Sequence, residues 1–421
     1  MARHVLMIAF HYPPVRGSSG IQRTLKFSSY LREHGWEPVV LSIAPRAFDQ
    51  VGEDQMGEIP AGMRVERPFG LNTARHLAVG GRYANWMAQP DRWVSWWPAA
   101  VWRGMQVIRQ TRPEVIFSTY PIATAHLIGL SLQRLSGLPW VADCRDSMTE
   151  PGYPSDPLTF RTNRRLEQAV VRRCARAVFT TTGTLDMYAT RYPEVPASRW
   201  SVIENGYDEE NFRDAGASGE RSPLGPPGQL TLLHSGILYP QERDPRPFFA
   251  ALRALKAAGE VTPASLRVLL RATGSDDIYR TMLAEYQVQD LVELAPPVGY
   301  RQALQEMLRA DGLLLFQAAM CNHQIPAKLY EYLRSGRPVF TLTDPVGNTA
   351  EAMRSAGQQA IVDIADEASI REGLRRFVQQ MRSGEISGAP PSVAAAHSRH
   401  ARTQELATLL DTVSRESRGQ R

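Results

Sequence analysis

Lys328 and Glu331 lie three residues apart in the string NHQIPAKLYEYLRSGRPVF (322–340), a spacing that sets a cation and a carboxylate on one face of a helix. Pro326 suits that helix's first turn, and the apolar run DGLLLF (311–316) before it reads as a buried strand. Open α/β sheets take ligands above the carboxyl ends of their strands. There an ammonium can neutralise a diphosphate and a carboxylate can accept both hydroxyls of a ribose. A surface Lys–Glu pair on an ordinary helix has the same spacing.

A second candidate is the loop Gly17, Ser18, Ser19, Gly20 between the run VLMIAF (5–10) and a helical pattern from Ile21. Glycines let backbone approach a ligand, and the following helix N-terminus offers unpaired N–H groups to phosphate. The spacing matches a dinucleotide G-x-G-x-x-G poorly, which counts against a nicotinamide-dependent oxidoreductase, and a plain tight turn is the other reading. Asp143, Arg145 and Asp146 follow the buried run PWVADC, so they either project from a strand end as ligand contacts or form an Asp–Arg pair that positions the loop. No Asp-x-Asp triplet stands at a strand end, and Asp276 with Asp277 reads as the polar start of a helix. The expected metal content is none.

The segment 81–110 holds five tryptophans, Trp86, Trp93, Trp96, Trp97 and Trp102, among Arg82, Arg92, Arg103 and Arg109. Aromatic and basic residues together suit a lipid headgroup layer; rings packed on the domain's own core are the alternative. Arg164, Arg165, Arg172, Arg173 and Arg176 lie along a helix anchored by Leu166, Ala169 and Val170, whose default reading is a solvated face.

The elements that must hold these residues alternate. VLMIAF, a helix from Ile21 to Glu33 ending at the capping position Gly35, and PVVLS (38–42) make one βαβ unit. VIFST (115–119), PWVADC (139–144), AVFTTT (177–182) and WSVIEN (200–205) supply further buried strands. Between 214 and 229 the chain turns rich in Gly, Pro and Ser. Alternation then restarts with LTLLHSG (230–236), a helix carrying Phe248, Phe249, Leu252 and Leu255, LRVLLR (266–271), LVELA (291–295), a helix over 301–309, DGLLLF, the Lys328 helix and RPVFTL (337–342). The predicted fold is α/β, with two Rossmann-like doubly wound parallel sheets. The boundaries are an N-terminal domain over 1–212, a linker over 213–229, a C-terminal domain over 230–390 and a helix and tail over 391–421. That last helix, with Leu406, Leu409, Leu410 and Val413 on one face, docks on either domain or crosses back to the first.

Composition agrees with this division. A chain of 421 residues exceeds one typical core, and 43% hydrophobic with 22% charged residues excludes disordered and fibrous classes. A net charge of +5 suits phosphate ligands or an anionic membrane surface without demanding nucleic acid. The three cysteines, Cys144, Cys174 and Cys321, are too few and too scattered for a disulfide framework or a zinc site. With no signal-peptide pattern or membrane-spanning run, the expected location is cytoplasmic, with membrane association at most peripheral.

Five strings occur in an order that resembles the GT-B retaining glycosyltransferases of sequence family 4, in the bacterial branch that builds polysaccharides and glycolipids: HYPPVRGSSGIQR, PWVADCRDSMTEP, VIENGYDEENF (202–212), HSGILYPQERD and IPAKLYEYLRSGRPVF. The resemblance implies a cleft between an N-terminal acceptor domain and a C-terminal nucleotide-sugar donor domain. It also implies transfer from a nucleotide-diphosphate sugar to a glycan, lipid-linked or small-molecule acceptor at the inner face of the membrane, without metal or other cofactor. In that family the acceptor is delivered on the leaving group's own face, with the phosphate as base. By position, Gly17 to Gly20 resemble the loop that approaches the donor diphosphate, and Glu331 the carboxylate that holds the ribose. Lys328 and the first turn of its helix, with Leu329, resemble phosphate neighbours, and Gly236 the glycine ending the donor domain's first strand. Arg243, or else Arg271, takes the place of the family's phosphate-binding cations, because Ile237 stands where many members have arginine. His323 occupies the place of a glutamate that touches the donor sugar, and Asp143 and Arg145 resemble sugar or acceptor contacts. A nucleotide-sugar epimerase of the same fold and a catalytically inactive donor-binding protein remain as alternatives.

Overall fold

The structure, a computed structural model, describes residues 3–16, 20–53, 55–217, 222–240 and 242–419. The chain divides into two compact units, Met1–Asn205 joined by Arg399–Arg421, and Gly206–Ser398.

The first unit comprises β1 (Arg3–Ile8), α1 (Gly20–Tyr30), β2 (Trp36–Leu41), β3 (Arg64–Glu66), α2 (Thr73–His76), α3 (Trp96–Thr111), β4 (Val115–Thr119), α4 (Ala123–Ser136), β5 (Trp140–Cys144), α5 (Pro157–Arg173), β6 (Arg176–Phe179), α6 (Thr182–Arg191) and β7 (Trp200–Val202). Its seven strands are parallel, in the order β3-β2-β1-β4-β5-β6-β7. Pleating sorts the core in two. Leu6 and Ile8 pack with Trp96, Ile128, Leu166 and Tyr188 of α3 to α6, whereas Val5 and Met7 pack with Leu25 and Phe27 of α1 on the opposite face. Right-handed crossovers require this segregation, because the chain moves one way across the sheet after β1 and the other way after β3.

The second unit comprises α7 (Glu209–Gly216), β8 (Leu230–Ser235), α8 (Arg246–Ala257), β9 (Leu266–Arg271), α9 (Asp276–Glu285), β10 (Val292–Ala295), α10 (Tyr300–Arg309), β11 (Gly312–Phe316), α11 (Lys328–Ser335), β12 (Val339–Leu342), α12 (Asn348–Ser355), β13 (Ile361–Val362), α13 (Glu367–Ser383) and α14 (Pro391–Ala396). Six parallel strands follow the order β10-β9-β8-β11-β12-β13. The direction of winding therefore reverses between β8 and β11, as it does between β1 and β4 in the first unit.

The last helix, α15 (Arg399–Gly419), returns to the first unit. Leu406, Leu410 and Val413 join the core of α1, and Asp411 accepts the Trp36 indole N–H at 2.9 Å and pairs with Arg3 at 2.7 Å. Of the two placements open to its apolar face, this is the one realised.

Some expected strands are shorter. AVFTTT yields only Arg176–Phe179, because Thr181 turns to cap α6, its hydroxyl accepting the Thr184 N–H at 3.1 Å. WSVIEN stops at Val202, and the carbonyls of Ile203 and Glu204 accept hydrogen bonds from Arg23 instead. Sequence periodicity also missed β3 and β13, which are short edge strands. Within 213–229, α7 runs on to Gly216, and the Leu224 N–H donates to the Arg309 carbonyl at 3.1 Å.

Candidate functional site

In the second unit the reversal point between β8 and β11 gathers most of the chemistry. The β8 sequence LTLLHS buries His234 completely. Its Nδ1 lies 2.9 Å from the Leu314 carbonyl on β11. A carbonyl only accepts, so Nδ1 carries the proton and Nε2 is left as an acceptor. The Lys328 Nζ stands 3.2 Å from that Nε2. Burial, and then the neighbouring Lys328 charge, hold the His234 pKa well below its ordinary value, so the ring is neutral.

Two further contacts fix the lysine. Tyr332, buried on α11, accepts the Ser235 N–H at 3.0 Å, which ties the helix to the end of β8. Gly236 then turns at φ +115°, and a Cβ added there would stand 3.1 Å from Lys328 Nζ. The backbone angle calls for glycine, and a side chain there would also press on the ammonium. Burial first and Arg243 second bring the Lys328 pKa down to about 7, partly countered by Glu331.

Arg243 lies over the Tyr239 ring at 5.4 Å, reaches the Ile237 carbonyl at 3.4 Å and keeps a buried Nε with no hydrogen-bond partner. Among the described residues neither Arg243 nor Lys328 has a carboxylate within 4.0 Å. Two basic side chains at one strand end, one of them lowering the other's protonation and neither ion-paired to a carboxylate among the described residues, can attract a multiply charged anion. Glu331, one helical turn beyond Lys328, is half-buried and accepts the Tyr300 hydroxyl at 2.7 Å.

Other expected contacts fall elsewhere. Arg271 is spent: its guanidinium makes two bonds to Glu306, at 2.9 and 2.7 Å, and a third to the Pro296 carbonyl at 2.9 Å. A bidentate buried pair of this kind leaves it no freedom to take over the phosphate role. Leu329 is fully buried among core side chains, and its N–H donates to the Pro326 carbonyl at 2.9 Å, so it offers no contact to a ligand. His323 lies in the connection from β11 to α11, half-buried, with Nε2 3.3 Å from Gln324 Nε2.

The first unit has its own cluster at the β1/β4 reversal. Arg145 donates through Nε to the Tyr120 carbonyl at 2.6 Å and through Nη1 to the Gly20 carbonyl at 3.2 Å. A Cβ at residue 20 would lie 2.6 Å from both terminal nitrogens of Arg145, so a side chain there would have to displace that guanidinium. His11, just past β1, has its pKa lowered to about 3 by burial and then by the Arg145 charge. Gly17, Ser18 and Ser19 lie outside the described residues. Asp143 does not project as a ligand contact. It is fully buried, accepts two bonds from Arg23 at 3.1 and 2.8 Å, and accepts the Thr119 hydroxyl at 2.8 Å. The buried Asp–Arg pair exists, but its arginine is Arg23 and not Arg145. Sequence reasoning missed Arg23, His11 and His234. The two histidines could have been found as the polar residues that follow (His11) or interrupt (His234) an apolar strand run just before the loops already singled out.

Residues 20–206 match the family model described as a glycosyl transferase 4-like domain. No curated protein matches the chain by sequence. Similar solved structures include Anabaena Alr3699/HepE in complex with UDP and glucose, at 14% identity, covering 97% of this chain and 100% of that one with a TM-score of 0.66. Sucrose-phosphate synthase from Thermosynechococcus elongatus matches at 14% identity over 99% and 98%, with a TM-score of 0.59. The N-terminal domain of Candida albicans trehalose-6-phosphate phosphatase matches at 11% identity over 98% and 97%, with a TM-score of 0.66. These likenesses and the two parallel sheets establish the fold: the chain is an α/β protein of the GT-B class, whose residues 20–206 are similar to a glycosyl transferase 4-like domain.

Proposed function

We propose that the protein is a metal-independent, retaining glycosyltransferase that moves a sugar from a nucleotide-diphosphate donor to a glycan, lipid-linked or small-molecule acceptor of bacterial glycoconjugate synthesis. One observation carries the reading: Lys328 and Arg243, two cations with no carboxylate within 4.0 Å among the described residues, meet at the carboxyl end of β8 beside Glu331. Departure of a nucleoside diphosphate concentrates negative charge on the β-phosphate, and fixed cations lower that barrier more than they stabilise the intact donor. Lys328 and Arg243 take that charge, while Glu331 orients the ribose. The acceptor attacks from the face the diphosphate leaves, and a phosphate oxygen receives its proton. Donor specificity at the sugar falls to His323 and its neighbours.

The test is a panel of uridine, guanosine and adenosine diphosphate sugars read by thermal shift, with UDP-sugars first because similar structures were solved with UDP and UDP-glucose. Nucleoside diphosphate release is then measured with and without acceptor, and the anomeric configuration of the product by NMR. Donor binding in Glu331→Ala or Lys328→Ala equal to that of the wild type overturns the assignment. Release without acceptor identifies an epimerase instead.

A further inference from the structure

The segment rich in tryptophan and arginine divides when folded. Trp93 and Trp96 turn inward, Trp93 against Phe10 at 4.5 Å between centroids. Trp86, Trp97 and Trp102 turn outward, with Trp86 72% and Trp102 66% exposed. The Trp97 ring and the loop that carries Trp86 are held in place. The Trp97 indole N–H donates to Ser131 of α4 at 2.9 Å, so the ring lies across the seam between α3 and α4. The Trp86 loop is fastened to the start of α5 by Asn85 to Asp156 at 3.1 Å and Gln89 to Thr159 at 3.0 Å. Leu135 on α4 and Leu158 on α5 add exposed apolar surface to the same layer.

The charges of that layer have one sign. α3 carries two arginines, α4 one and α5 five, against a single carboxylate, Glu167. Glu167 is buried and faces inward, where Tyr188, Tyr192, Arg164, Arg191 and Thr149 donate to it. Two flanking carboxylates are spent as caps, Asp91 accepting the Thr124 N–H at the start of α4 at 2.7 Å and Asp156 the Thr159 N–H of α5 at 2.8 Å, while Glu66 pairs with Arg103 at 2.8 Å and Glu194 with Arg172 at 3.1 Å. Arg109, Arg134, Arg161 and Arg165 are exposed. An outer surface that combines exposed indoles, isolated leucines and an excess of arginines with no ion-pair partner among the described residues matches the interfacial layer of a bilayer. Indoles settle there at headgroup depth, and each arginine gains from anionic lipid phosphate. Among the described residues no helix is long and apolar enough to cross a membrane, so attachment would be from the surface.

We infer that the outer face of α3, α4 and α5, with the Trp86 loop, docks on an anionic lipid bilayer. The inference does not depend on the sugar-transfer reading, since it uses none of the residues around Lys328. The experiment is co-sedimentation of the full chain with phosphatidylcholine vesicles and with vesicles containing about one-third phosphatidylglycerol. Binding to the anionic vesicles is expected to be at least about tenfold tighter and to weaken as salt is raised. Trp86→Ala with Trp102→Ala, and separately Arg161→Glu with Arg165→Glu, should each lower that binding about tenfold or more while leaving the circular dichroism melting curve unchanged. Equal affinity for the two vesicle types overturns the inference, as does retention of binding in both double variants. Tighter binding to single-stranded RNA than to anionic vesicles at the same salt also overturns it.

Discussion

If Lys328 meets the donor diphosphate, donor affinity must fall as pH rises through the lysine's free-protein pKa of about 7. The diphosphate diester of a nucleotide sugar keeps its charge across the range, so the lysine is the group whose state changes. Only its protonated form binds well, and the apparent dissociation constant scales with the reciprocal of the protonated fraction. That factor is about 2 at pH 7, about 11 at pH 8 and about 100 at pH 9, each unit corresponding to about 1.4 kcal/mol. The limit is reached when the remaining contacts, Arg243 among them, hold the donor without the ammonium. Isothermal titration at pH 6, 7, 8 and 9, with the donor that gives the largest thermal shift, measures the slope. Lys328→Arg should remove it, because a guanidinium stays charged throughout. The unliganded protein responds with the opposite sign. The folded pKa lies below the ordinary 10.5, so the unfolded chain binds more protons between pH 7 and 10.5, and this group adds stability as pH rises across that window. A wild-type affinity constant that stays within twofold from pH 6 to 9, or an unchanged slope in Lys328→Arg, would exclude Lys328 as the titrating donor contact.

Asp143→Ala leaves Arg23 charged and buried, so it should cost about 3–5 kcal/mol in urea denaturation, and a loss under about 1 kcal/mol would show that the pair is not structural. Arg271→Met with Glu306→Leu removes both ends of one buried ion pair, and donor affinity measured by titration should stay within about twofold, since Arg271 is committed to Glu306. Gly236→Ala forces a side chain into a φ of +115° and to 3.1 Å from Lys328 Nζ. The expected result is donor affinity at least about tenfold weaker by the same titration, roughly the worth of one charge-assisted hydrogen bond.

Much of this architecture is legible in the chain because parallel strands buried on both faces leave continuous apolar runs. VIFST and LRVLLR became strands over their full predicted length, while the edge strands β3 and β13 left too little apolar sequence to detect. The Lys328–Glu331 spacing places both residues on α11, and Gly236 directly follows β8, because helix periodicity and backbone requirements are local. Partner choice is not local. Asp143 looked equally suited to Arg145, two residues away, and to a ligand, yet it pairs with Arg23, 120 positions earlier in the chain. Arg271 likewise ends its strand as expected, but Glu306 on α10 decides where its guanidinium goes.

The return of α15 to the first unit makes the second one an insertion. The backbone leaves at Asn205 and re-enters at Arg399, and the inserted piece closes on itself, with the Tyr207 N–H donating to the His397 carbonyl at 3.2 Å and Tyr207 bridging Ser398 in parallel. Its two ends are therefore neighbours. A cut at 398 would strip the first unit of Leu406, Leu410 and Val413, whereas excising 206–398 would leave both severed ends of the host near one another. Grafting a homologous insert between Asn205 and Arg399 is thus a way to exchange the second unit while keeping both sequence parts of the first.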